Sequence, residues 1–221
     1  MSLVSDFEGF LKNRWPAMVV LLGVLMAAGA GATLYVQHKE VQEQKARDAL
    51  YRADVLLKQE EAAVAKDKKF SNPQELQQSF TKSMDALQAV PRNFAKSRAG
   101  FEALLKLGDL YWKNQLFDPA SFQYQAAVQN APKSFDRALA LSSLGYALEN
   151  AQKKKEAVEA FEKALALGEA TLQGDLMLSI GRVKEGTGDT AGAKAMYKRV
   201  TEQLPNTDYA KTAETLLQNS H

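Results

Sequence analysis

Residues 104–132 read LLKLGDLYWKNQLFDPASFQYQAAVQNAP, and the spacing inside this stretch decides the fold. Counting from Gly108, Tyr111 lies three residues on, Ala120 twelve, Tyr124 sixteen, Ala127 nineteen and Pro132 twenty-four. The pattern returns twice. Leu144-Gly145 is followed by Ala157, Phe161 and Ala164 at the same offsets, and Ile180-Gly181 by Ala193, Tyr197 and Pro205. Units recurring every ~34 to 37 residues mark a repeat architecture. Small residues at the Gly and first Ala positions let two antiparallel helices approach, and the aromatic fills the wedge between them. One unit cannot bury such a face alone, so the units must stack.

This spacing resembles the tetratricopeptide repeat, which implies an all-α helical solenoid with three units over 92–205. Departures exist: Leu104, Leu141 and Met177 stand where Trp is usual, Leu148 and Lys184 replace Tyr, Val200 replaces the last Ala and Glu169 replaces Pro. Turn chemistry agrees with the repeat. Asp118-Pro119 opens one second helix, and Gly186-Thr187-Gly188-Asp189 ends one helix and caps the next. In the closing segment, 206–221, Tyr209, Ala210, Ala213, Leu216 and Leu217 share one helical face and would cap the stack.

Upstream, Ala46, Ala49, Leu50, Ala53, Leu56 and Leu57 fall at helical spacing, so the core is expected to begin at Ala46. Asn72-Pro73-Gln74-Glu75 is a helix start, with Asn72 capping, Pro73 at the first position and Glu75 reaching back. That helix should carry Leu76, Phe80, Met84 and Leu87 inward and stop at Pro91, completing a degenerate first hairpin over 46–91. Its lysine-rich loop (Lys66, Lys68, Lys69) reads as a solvated turn. Glu60-Glu61 and Lys153-Lys154-Lys155 likewise read as solvated charge runs.

Ahead of the hairpin, residues 17–36 read AMVVLLGVLMAAGAGATLYV, without a charged side chain. At ~1.5 Å per residue, some twenty such residues span the ~30 Å hydrocarbon core of a bilayer. The reading is a single N-terminal transmembrane helix over 15–36, behind a short leader, 1–14, in which Phe7, Phe10 and Leu11 share a face. No Gly or Pro interrupts 36–69, so this helix should run unbroken through a charged linker, 37–45, toward Lys69. Gly23, Ala27 and Gly31 recur every fourth residue, a face on which a second membrane helix, including one from another copy, could pack closely. Cleavage is the rival, since Ala28-Gly29-Ala30 and Ala30-Gly31-Ala32 resemble signal-peptidase sites. Against it, the apolar run continues through Leu34-Tyr35-Val36, and Asp6 and Glu8 spoil a basic leader. Lys12 and Arg14 before the helix are matched by Lys39, Lys45 and Arg47 after it, so charge alone does not orient it. Long domains cross largely regardless of charge, which favours the N-terminus inside and the body outside.

Composition narrows the function classes. A formal net charge of +2 offers no basic stripe for nucleic acid, and with no cysteine there is no disulfide, thiolate metal site or thiol nucleophile. The two histidines, His38 and His221, are too isolated to form a dyad or ligand set. With no phosphate-cradling glycine loop either, no catalytic residue, metal or cofactor is expected.

A short leader, a Gly/Ala-rich membrane helix running into a charged helix, a degenerate hairpin and then tetratricopeptide units resemble the YfgM-like bacterial inner-membrane proteins. That resemblance implies a single-pass protein with a periplasmic body, ancillary to the SecYEG translocon and working with a PpiD-like periplasmic chaperone. Residues 204–217, LPNTDYAKTAETLL, are similar to the helix-ending segment of periplasmic repeat proteins such as BamD and CpoB. This leaves open another envelope machine, in outer-membrane assembly or cell division, as does a homo-oligomer held by the membrane helix. In tetratricopeptide stacks the first helix of each unit lines the concave surface. Carried onto this chain, that geometry gives Glu102, Leu105, Asp109, Trp112 and Lys113 from the first unit and Leu139, Ser142, Tyr146, Glu149 and Asn150 from the second. The third gives Asp175, Leu178, Arg182 and Glu185. Trp112 and Tyr146 are the expected aromatic anchors, with a core or wedge role as the alternative for both.

Overall fold

The computed structural model describes residues 3–65 and 68–219, with side chains at 15, 17–65 and 68–219. Expectations resting on the side chains of Phe7, Phe10, Leu11, Lys12 and Arg14, and on Lys66 and His221, lie outside these. Among the described residues every regular element is a helix: α1 (Leu3–Ala63), α2 (Pro73–Ser79), α3 (Thr81–Asn93), α4 (Arg98–Lys113), α5 (Phe117–Asn130), α6 (Ser134–Asn150), α7 (Lys154–Leu165), α8 (Ala170–Glu185), α9 (Thr190–Gln203) and α10 (Asp208–Asn219). The chain divides into two compact units, Met1–Lys45 and Ala46–His221.

The first unit is carried by the early part of α1. All side chains from 17 to 41 are exposed, Leu22, Leu25 and Met26 among them. Among the described residues this is the one helix long and apolar enough to cross a membrane. The Thr33 hydroxyl donates to the Gly29 carbonyl at 2.9 Å, so the one hydroxyl of residues 17–34 is satisfied within the helix itself. Nothing lies within 4 Å of where a Cβ would sit at Gly23, Gly29 or Gly31.

In the second unit the later part of α1 buries Ala46, Leu50 and Ala53 in the core. The helix ends at Ala63 and does not run on to Lys69. Phe70 is the physical reason: it is buried edge-on to Phe80, with ring centroids 5.9 Å apart, and the chain must leave the helix to place it there. Asn72 caps α2 by accepting from the Glu75 amide at 2.9 Å, and Glu75 reaches back to the Ser71 amide at 3.1 Å. The helix expected to run from there to Pro91 is broken at Phe80, whose φ of −122° separates α2 from α3. The N-terminus of α3 has no side-chain cap of its own. Glu60 of α1 supplies one, accepting from the Lys82 amide at 3.1 Å and the Ser83 amide at 3.0 Å. Thus Glu60 belongs to a helix junction and not to a solvated charge run. Pro91 does not end α3, which continues to Asn93. Sitting in the last turn, it forfeits only the hydrogen bond that the Leu87 carbonyl would have received.

The three repeat hairpins are α4/α5, α6/α7 and α8/α9, each helix packing on the next, and α10 covers α9 and α8. A Cβ at Gly108 would lie 2.4 Å from the Tyr124 ring, at Gly145 2.5 Å from Phe161 and at Gly181 2.3 Å from Tyr197. The repeat glycine and the repeat aromatic are therefore in direct contact, and only the absence of a side chain makes room. Seven residues after each of these glycines, at Gln115, Gln152 and Gly188, φ is positive (60°, 63° and 85°). Asp189 then caps α9, accepting from the Gly192 amide at 2.9 Å. At the end of the stack Ala210 and Ala213 are buried, and Tyr209 lies against Gly174, where a Cβ would come within 2.5 Å of its ring.

Candidate protein-interaction surface

The expected surface comes from the first helices of the repeats, α4, α6 and α8. Its members divide by what they touch. Asp109, Lys113, Asn150, Arg182 and Glu185 are exposed, while Glu102, Leu105, Leu139, Glu149, Asp175 and Leu178 are half-buried. Ser142 is a correction: it is buried, because its place on α6 turns into the helix interface. Leu105 and Leu178 pack onto the core at their inner edges.

The two expected aromatic anchors are both half-buried. Trp112 is half-buried and meets Phe117 of α5 edge-on, with ring centroids 5.1 Å apart, so it closes its own hairpin. Tyr146 meets Phe161 edge-on at 5.0 Å, and its hydroxyl donates to Asp175 Oδ2 at 2.6 Å with Ser179 Oγ 2.9 Å away. Burial, with the hydrogen bond to Asp175, pushes the Tyr146 phenol up to about 12. Both aromatics thus take part in the packing of the fold, the wedge role read as the alternative for them.

Many polar members of the surface are paired within the protein, some of them across adjacent units. Arg182 of α8 pairs with Glu149 of α6. Arg98 of α4 pairs with Glu102 at 2.6 Å and with Asp136 of α6, which is only 1% exposed. The Glu102 hydrogen bond raises the Arg98 guanidinium above its usual range against the opposing effect of burial, and Asp136 adds to the rise. Asp136 sits in the first turn of α6, where the helix dipole supports its charge. Lys106 reaches Asp54 of α1 at 3.1 Å. Within the hairpins, Tyr124 donates to Asp109 at 2.7 Å and Tyr197 to Glu185 at 3.1 Å, and burial is the main reason both phenols are raised, Tyr197 to about 12.

Sequence reasoning missed Arg98, Asp136 and the lysine run as inter-unit ties. Lys153 pairs with Asp118 of α5 at 2.7 Å, and Lys154 donates to the Gly186 carbonyl at the end of α8 at 2.8 Å. Both lysines reach neighbouring elements, while Lys153 stays exposed as the reading of a solvated charge run expects. A signal was present: Arg98/Asp136 and Glu149/Arg182 are opposite charges 38 and 33 residues apart, about one repeat. Among the described residues no group of three or more His, Asp or Glu side chains is placed to hold a metal.

Residues 102–134, 138–169 and 175–207 match models described as tetratricopeptide repeat. The three hairpins are tetratricopeptide repeats. No curated protein matches the chain. Among solved structures the chain is similar to an Arabidopsis OM64 TPR domain (18% identity, 55% of this chain and 96% of that one, TM-score 0.46). It is also similar to MamA (21% identity, 68% and 89%, TM-score 0.47) and to pilF of Pseudomonas aeruginosa (16% identity, 80% and 92%, TM-score 0.41).

Proposed function

We propose that the protein is a membrane-anchored adaptor whose tetratricopeptide array docks partner proteins outside the bacterial inner membrane. The observation that carries this is the pairing of one apolar helix long enough to span a bilayer with three repeats of a protein-binding kind. The partners are proposed to be the SecYEG translocon and a PpiD-like chaperone, with the N-terminus cytoplasmic and the array periplasmic. Such an adaptor works by holding partners together and raising their effective concentration, and it needs no chemistry of its own.

The docking surface is proposed on α4, α6 and α8, with the exposed Asn150 and the half-buried Leu139 among its members. In-membrane photocrosslinking from positions 139 and 150, with mass spectrometry of what is captured, tests both halves. Translocon subunits or a membrane-anchored chaperone support the export assignment. Capture of outer-membrane assembly or division proteins moves the adaptor to another machine, and protease digestion of the array from the cytoplasmic side would overturn the topology.

A further inference from the structure

At 72%, Phe122 is the most exposed large apolar side chain among the described residues. A single exposed apolar side chain is ordinary on a protein surface. The repeat gives no reason for this one, because the corresponding positions, fourteen residues after the repeat glycine, hold Glu159 and Ala195, both exposed. Phe122 also stands at an open cleft of about 360 Å³. The buried Leu104 and Leu107 of α4 line this cleft between Gln88 and Pro91 of α3 and Ala126 of α5. Its one charged lining residue, Arg92, is exposed and donates to Gln88 Oε1 at 3.1 Å.

The helix that carries Phe122 is also set apart by charge. Asp118 is the only charged residue of α5, and it is paired with Lys153 at 2.7 Å. The other exposed side chains of α5 are Phe122, Gln125 and Gln129, which fall on one helical stripe at spacings of three and four. The second helices of the other repeats differ: α7 exposes Lys155, Glu156, Glu159, Glu162 and Lys163, and α9 exposes Lys198 and Glu202. Covering such charges costs their desolvation, and the cores of protein interfaces are poor in charge and rich in aromatic side chains. Of the three, α5 is the one suited to being covered.

What covers it follows from the projection and the recess lying side by side. A two-fold contact requires one patch to complement itself. Here each copy's Phe122 can enter the other's cleft, with α5 antiparallel to its mate and Gln125, at the middle of the stripe, beside the other Gln125. A glutamine amide both donates and accepts, so it can pair with its own copy, where a lysine or glutamate would repel it. Two phenyl rings supply roughly 300–500 Å² of the ~1,600 Å² of a standard interface, which makes Phe122 the anchor and leaves the rest to the neutral stripe and the cleft edges. We infer that this face of α3 and α5 joins two copies of the chain through Phe122. The inference is independent of the adaptor reading and lies on the second helices, away from positions 139 and 150.

The chain has no cysteine, so one introduced thiol reports the contacts of its own position. In the full-length protein in a nonionic detergent, Gln125→Cys should form disulfide-linked dimers on mild oxidation. Glu162→Cys, at the corresponding exposed position of α7, should not. Phe122→Glu, matching Glu159 of the second repeat, should raise the dimer dissociation constant about thirtyfold or more in sedimentation and abolish the Gln125→Cys link. Because Phe122 is exposed, circular dichroism should be unchanged, and the crosslinks from positions 139 and 150 should persist. Equal linking from both cysteines would mean random collision and overturn the proposal. A monomer at all concentrations would also overturn it, as would a dimer that Phe122→Glu leaves intact, such as one held by the apolar helix. A photoreactive phenylalanine at position 122, used in native membranes, tests for other occupants. An adduct of two chains supports the pairing, whereas an adduct with a different protein would give the cleft to that partner and overturn self-association.

Discussion

Gly145 shows what a single position in a repeat decides. An alanine there gains about 1 kcal/mol of helix propensity over glycine, yet its Cβ would lie 2.5 Å from the ring of Phe161, which is wholly buried. Overpacking of a filled core costs about 1–3 kcal/mol, so the clash outweighs the propensity gain. Gly145→Ala is expected to destabilise the array by about 1–2 kcal/mol by urea denaturation, and adding Phe161→Leu should recover part of the loss. An unchanged or raised midpoint would show that the hairpin opens freely at this point. The position was legible in the sequence because a Leu-Gly or Ile-Gly pair, with its glycine sixteen residues before an aromatic, is a contact written twice more in the chain. The roles of Trp112 and Tyr146 were not legible, because an aromatic on a helix surface reads the same whether it faces a partner or a neighbouring helix.

Helix junctions carry information that no single helix holds. Position 80 breaks what propensity would make one helix, and the freed amides of α3 are taken up by Glu60, 22 and 23 residues earlier in the chain. Removing that acceptor in Glu60→Ala should cost about 1 kcal/mol, the usual worth of an N-cap, whereas Glu61→Ala next to it should cost almost nothing. Amide exchange gives the specific readout: protection at Lys82 and Ser83 should fall in the first variant and not in the second. Equal protection in both would mean that water caps α3 as well as Glu60 does. The Lys154 contact with the end of α8 is a junction of the same kind, formed between elements that sequence proximity would not have paired.

At the scale of the whole array, stability depends on coupling between neighbours, since each repeat touches only the next. The second and third repeats are joined by Tyr146 with Asp175 and by Arg182 with Glu149. Phenols held up to about 12 in the folded chain keep their protons where an unfolded chain, with an ordinary tyrosine near 10, would lose them. Their contribution is therefore complete below about pH 10 and lost as pH rises from there toward about 12. Circular dichroism against pH should show the array unfolding through that window. Tyr146→Phe should be about 1–2 kcal/mol less stable at neutral pH and flatter in the alkaline limb, with amides of α8, α9 and α10 exchanging first. A variant that matches the parent on both counts would mean that apolar packing alone couples the repeats.

The sequence by itself determined the all-helical class, the three repeat units and the apolar helix, because periodic spacing and a charge-free run are properties of the chain alone. It also determined that glycine must face an aromatic in each repeat. Only the tertiary structure decided which polar side chains bind one another across repeats and how the aromatics on the first helices of the repeats pack within the fold. The reason is physical: helical period reports which residues share a face, but what covers that face depends on residues a repeat or more away.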